Sequence, residues 1–184
     1  TLELMDGQGE AVADADDVAG VVIDKPLTLT AAEGATPDIR FSNEGAEAPA
    51  VVLVTANDVT ISGLAVDGTG AKTGIQVARE GAVPRPLPQP SGVVIRDLAV
   101  SGAETAVHAG QAPALQIVNN ELTATTTGIS VGRRIEFRDS VTVTGRTKTT
   151  VRENSVTGVE TGIDVAGQVA AVEGNTLSTI GGVG

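Results

Sequence analysis

Six of the nine arginines in this chain fall in two short stretches, Arg79 and Arg85 in one, and Arg133, Arg134, Arg138 and Arg146 in the other. Guanidinium groups gathered on an acidic chain suit carboxylates or sulfates, which they grip through paired N–H bonds. Arg79, Arg133, Arg134 and Arg138 are therefore the candidate ligand-binding residues, and an acidic polysaccharide is the candidate partner. The competing reading is two solvated loops whose arginines pair locally with Glu80, Glu136 and Asp139.

Catalytic and metal-binding chemistry has thinner support. His108 is the sole histidine, there is no cysteine, and the one methionine is Met5. A copper or zinc site needs several imidazole or sulfur ligands, which this chain does not supply by itself. Asp14, Asp16 and Asp17 have Ca²⁺-compatible chemistry, but an acidic solvated loop accounts for them better. In the repeat described below, His108 and Asp164 fall two coils apart, about 10 Å, beyond a direct base–orienter bond. Asp97 and Glu153 are spaced likewise. Two carboxylates at such a distance match an inverting hydrolase, but they sit at a turn with no pocket evident from sequence. No catalytic residue, metal site or cofactor is predicted.

The composition narrows the field further. The formal net charge is −11, with only three lysines, Lys25, Lys72 and Lys148. An acidic, lysine-poor, alanine-rich chain resembles proteins of salt-loving archaea. Nucleic acid is excluded as a partner, because its phosphates would be repelled. No apolar run reaches the roughly 20 residues that span a bilayer as a helix. There is no Trp or Tyr and only two Phe, whereas Gly numbers 23. Val, Leu, Ile and Ala must therefore build the core, which implies a narrow one with many tight turns.

The elements that must position these residues are set by a repeat. Val59-Thr60-Ile61-Ser62-Gly63-Leu64-Ala65-Val66 recurs from Val93, Leu115, Thr149 and Ala170. Equivalent residues 61, 95, 117, 151 and 172 are separated by steps of 34, 22, 34 and 21. A second signature follows each copy: Gly74-Ile75, Ala106-Val107, Gly128-Ile129, Gly162-Ile163 and Gly182-Val183. A period near 22 is too short for a propeller blade or a helix pair and fits one turn of a β-solenoid. Alternation at 59 and 61, a corner at 62 and 63, and renewed alternation at 64 and 66 give two walls of a coil. The glycine before Ile75 allows a bend into a third.

The corner position reads Leu64, Leu98, Asn120, Asn154, Asn175. In stacked coils these side chains lie one above another at about 4.8 Å. Asn120, Asn154 and Asn175 can then form a ladder in which each amide is satisfied by its neighbours. Three turn-forming asparagines facing solvent is the alternative. The two long steps carry insertions at 78–91, rich in proline, and 132–147, patterned for a hairpin or partial coil. Both leave the coil at the same place, so their arginines should flank one groove. Residues 1–20 fit the repeat less well and are expected to form an N-terminal cap or irregular segment covering one end. The Gly-rich C-terminal end looks uncapped, and its edge offers a template for self-association.

These motifs resemble the right-handed parallel β-helix superfamily, in particular its carbohydrate-associated and NosD-like repeats. Val22-Ile23-Asp24-Lys25-Pro26-Leu27-Thr28-Leu29 and Asn57-Asp58-Val59 resemble that group's opening coils, and the likeness covers about residues 20–184. It implies an all-β, single-stranded right-handed parallel β-helix, here one domain of residues 1–184 with a partial asparagine ladder. The superfamily hosts enzymes and non-catalytic surface proteins alike, so function must be argued from the site. The expected role is a non-catalytic extracellular or cell-surface module, structural, filamentous or adhesive. The alternatives are a lyase- or hydrolase-like protein acting on acidic glycans, against which stands the lack of Trp and Tyr as sugar platforms, and a viral tail-spike domain.

Overall fold

The structure is a computed structural model that describes residues 1–5, 8–12, 19–42, 50–77, 90–110, 112–124, 126–132, 148–166, 169–179 and 181. Within them the chain forms strands β1 to β20, numbered in chain order, and all sheet pairing is parallel. Sheet A contains β1 (Leu2–Leu4), β4 (Thr28–Ala31), β7 (Thr60–Ser62), β10 (Val94–Arg96), β13 (Gln116–Val118), β16 (Lys148–Arg152) and β19 (Val169–Glu173). Sheet B contains β2 (Gln8–Val12), β5 (Asp38–Ser42), β8 (Ala65–Asp67), β11 (Ala99–Ser101), β14 (Glu121–Thr123), β17 (Ser155–Thr157) and β20 (Thr176–Ser178). Sheet C contains β3 (Val21–Ile23), β6 (Ala50–Val54), β9 (Thr73–Val77), β12 (Thr105–Ala109), β15 (Thr127–Gly132) and β18 (Thr161–Ala166).

Each strand pairs with those three places before and after it in sequence. Such an order arises when every pass of the chain lays one strand on each of three walls, the repeated parallel structure of a β-solenoid. The pairing register stacks like on like. In sheet A, Leu29 pairs with Ile61, Ile61 with Ile95, Ile95 with Ile117, Ile117 with Val151 and Val151 with Val172. In sheet B the equivalent column runs Ile39, Val66, Val100, Leu122, Val156, Leu177. Apart from the half-exposed Val172 and Leu177, these columns meet sheet C's Ile75, Val107 and Ile129 in one continuous buried core. Burying each such side chain contributes about 1.5–3 kcal/mol, and the described core is built of Val, Leu, Ile and Ala. The strand pattern also reaches Leu2–Leu4 and Gln8–Val12, paired with β4 and β5, within the segment that looked least like the repeat.

Two local features depart from simple alternation. The column Gly74, Ala106, Gly128, Gly162 points into the core toward sheet B. A Cβ on Gly74 would lie 2.6 Å from Val100 Cγ1, and one on Gly162 would lie 3.0 Å from Leu177. Glycine there answers to space, not to a bend that needs a left-handed backbone, since the positive-φ glycines lie elsewhere. The second departure is β6, buried along its whole length. Leu53 pairs with Val22 and Gln76 on the outward column, yet it is only 2% exposed and packs with Ala19 and Ala50 in a small second cluster.

Candidate functional site

The corner between sheets A and B is the most regular polar feature of the molecule. Gly63, Asp97, Asn119, Glu153 and Gly174 all turn the chain there with φ between 55° and 70°. Glycine adopts this left-handed conformation freely, and Asn and Asp more readily than other side chains. Glu153, at φ 57°, lacks that local compensation and is held by the stack on either side. The turn sends these side chains outward. Asn119 Nδ2 donates to Asp97 Oδ1 at 2.7 Å, Arg96 pairs with Asp97 at 3.0 Å, and Arg152 approaches Glu153 at 3.9 Å. All three interactions are solvent-exposed, and such pairs contribute at most about 1 kcal/mol each.

The next residue of each turn points inward. Asn120 and Asn154 are buried, and Asn175 is half-buried. Asn154 Oδ1 accepts the Asn120 main-chain N–H at 3.1 Å and its Nδ2 at 2.8 Å. Asn175 Oδ1 accepts the same two groups of Asn154, at 3.0 and 2.9 Å. The remaining amide hydrogens go back to carbonyls of the preceding coil: Asn120 to Ile95, Asn154 to Ile117, Asn175 to Val151. At the upper end Asn120 Oδ1 accepts the N–H of Leu98. No described buried side-chain polar atom is left without a partner.

Above this column the surface is concave. A groove of about 620 Å³ runs over several coils, its polar wall formed by Asp97, Asn119, Glu121, Glu153 and Ser155. The sequence suggested no pocket for Asp97 and Glu153; the structure places both on this groove. The carboxylates are set out one per coil and all face solvent, so they do not converge on one point. Among the described residues no group of three His, Asp or Glu side chains is placed to hold a metal ion.

Arg79, Arg133, Arg134 and Arg138 lie outside the described residues. The positions from which the insertions depart are described: Val77 pairs with Ala109 and Ala109 with Val131, so both leave the same edge of sheet C, two coils apart. His108 stands half-buried on the outer column of sheet C, paired with Gln76 and Ser130 and two coils from Asp164. Sequence reasoning missed the groove and the Asp67 turn. Thr69 donates through its hydroxyl at 2.7 Å and its N–H at 3.1 Å to Asp67 Oδ1. The Thr69 hydroxyl, its N–H and the nearby Arg40 hold the Asp67 carboxyl below its ordinary range. The signal was present in sequence as Asp67-Gly68-Thr69-Gly70, a turn-forming run.

No helix among the described residues is long and apolar enough to cross a membrane. No family model, curated protein or solved structure matches the chain.

Proposed function

We propose that this chain is a single right-handed parallel β-helix with a partial asparagine ladder, working as a non-catalytic extracellular or cell-surface module in a structural, filamentous or adhesive role. The observation that carries this reading is the distribution of chemistry. Apolar columns and the asparagine bonds run coil after coil, whereas the groove's carboxylates, Asp97, Glu121 and Glu153, are spread one per coil. A long regular stack is a rigid spacer or scaffold, and a catalytic centre requires groups that meet at one substrate atom.

An acidic polysaccharide is the proposed ligand, held by Arg79, Arg133, Arg134 and Arg138 where the two insertions leave one edge of sheet C. The acidic, lysine-poor surface fits a high-salt environment, in which dense carboxylates stay solvated. A panel of uronate polymers tests the reading. Binding without bond cleavage, weakened when Arg133 and Arg138 are changed to Ala and steeply reduced by salt, is the expected result. Cleavage of any polymer would replace the module reading with the lyase or hydrolase one. A trimer along the long axis would favour the tail-spike one.

A further inference from the structure

We infer that the arginine site reads charge spacing: it takes a linear glycan with one carboxylate or sulfate on every second sugar, matched by Arg79 and Arg133. The inference rests on the acidic-polysaccharide reading above and names the pattern of charge that the ligand must carry. Its basis is an alternation along the corner that joins sheet C to sheet A. Short turns, 55–59 between β6 and β7, 110–115 between β12 and β13, and 167–168 between β18 and β19, alternate with the two insertions, one per coil. No Lys or Arg occurs in those short turns, whereas the insertions hold six arginines. Positive charge at this corner therefore recurs every second coil, about 10 Å along the stack.

The places where the insertions leave and return are held by their neighbours. At the first departure the Gly110 N–H donates to the Val77 carbonyl at 3.0 Å. At its return the Asp58 N–H donates to the Ser91 carbonyl at 2.8 Å, and Asn57 Oδ1 accepts the Ser91 N–H at 2.9 Å. The Gly92 N–H then donates to the Pro113 carbonyl at 2.9 Å. The short turns on either side thus tie both ends of the first insertion. The second leaves from Gly132, which pairs with Ala166 at a φ of 119° and leaves no room for a Cβ against the Ala166 backbone. It returns at Lys148, paired with Val169. Arg79 and Arg133 each come two residues after Val77 and Val131, which both pair with Ala109. In sequence they occupy the same register, two coils apart.

A ligand that meets both roots must run along the stack. In an extended glycan each sugar advances by about the spacing of one coil, so alternate sugars face alternate coils. An acid on the intervening sugar would face the turn 110–115, which carries no cation, on a chain of net charge −11. It would gain no partner there and be repelled by the body of the protein. Sparse charge is thereby favoured over dense charge, the reverse of what unspecific attraction to arginine would favour.

The test measures binding of the full chain to two octasaccharides at one salt concentration, one alternating uronate with N-acetylhexosamine and one of uronate alone. The alternating octasaccharide should bind about tenfold more tightly, a difference of about 1.4 kcal/mol, although it carries half the charge. Gln111→Arg places a cation on the intervening turn and should strengthen binding of the all-uronate octasaccharide more than that of the alternating one. Equal binding of the two by the unaltered chain, or tighter binding of the all-uronate one, overturns the spacing proposal. If that binding is still weakened by Arg133→Ala with Arg138→Ala, the acidic-polysaccharide reading stands without it. Binding of neither octasaccharide sinks both. A Gln111→Arg chain that keeps the full preference for the alternating octasaccharide also counts against the spacing, because the turn would then not be what rejects the extra charge.

Discussion

At the scale of residues, the decisive contrast is between polar groups that are answered and polar groups that are exposed. Asn154 is 1% exposed and gives and takes hydrogen bonds on both sides. Asn154→Leu removes those bonds and leaves several buried partners unsatisfied, at about 1–3 kcal/mol for each. Asn154→Asp should be worse at neutral pH, because it also buries a charge against two acceptors, the Ile117 carbonyl and Asn175 Oδ1. Burial raises that carboxyl above its unfolded value, so the extra destabilisation is present at high pH and is relieved as the pH falls through the raised folded value. Urea unfolding of both variants at pH 7 and pH 4.5 checks the order and its narrowing. Asp67 behaves in the opposite sense. Its carboxyl is held low by Thr69, so its contribution is present above about pH 4 and is lost as acid protonates it. Thr69→Val should raise the midpoint of the Asp67 carboxyl titration, read by carbon-13 NMR. An unchanged midpoint would show that the hydroxyl bond is not what holds it.

At the scale of elements, sheet C approaches sheet B closely at Gly74, Gly128 and Gly162. Gly128 sits where a Cβ would collide with Val156 and with the Gly162 carbonyl. Gly128→Ala should therefore overpack the interior and cost about 1–3 kcal/mol, seen as a lower midpoint in thermal unfolding. The comparison is Gly34→Ala, whose added Cβ would meet nothing within 4 Å and whose only penalty is its φ of 77°. If the two substitutions cost the same, crowding is not the reason for the glycine column. Ala106 occupies the same column in the fourth coil and is fully buried, so the spacing there already accepts one methyl group.

At the scale of the whole molecule, stability should fall from the middle coils toward the C-terminal end. Leu122 and Leu177 belong to one column, but Leu122 is fully buried between neighbours and Leu177 is half-exposed at the open face. Leu122→Ala should cost about 2–5 kcal/mol by leaving a cavity. Leu177→Ala, at a site with little packing to lose, should cost well under half of that. Denaturant unfolding of the two variants measures the difference. Equal losses would mean that the final coil is as tightly covered as the central ones, against the exposure of Val172 and Leu177.

The repeat, the parallel stacking it implies and the placement of Ile61, Ile95, Ile117, Val151 and Val172 in one column were legible in the sequence. An inward side chain must recur once per coil, and chain order alone carries that period. The corner was legible too, since Gly63, Asp97 and Asn119 are residue types that tolerate the left-handed turn. Glu153 was not, because nothing in its chemistry asks for that backbone; only its neighbours in the stack impose it. The glycine before Ile75, expected at a bend, stands within a strand where a Cβ would meet Val100 of another wall. The groove beside Asp97 and Glu153 stayed hidden for the same reason: concavity depends on how far one wall stands above the next, a distance no single strand encodes. The burial of Leu53 on an outward column is of this kind as well. Periodicity determines which way a side chain points, whereas what stands opposite it is decided only when the coils close on one another.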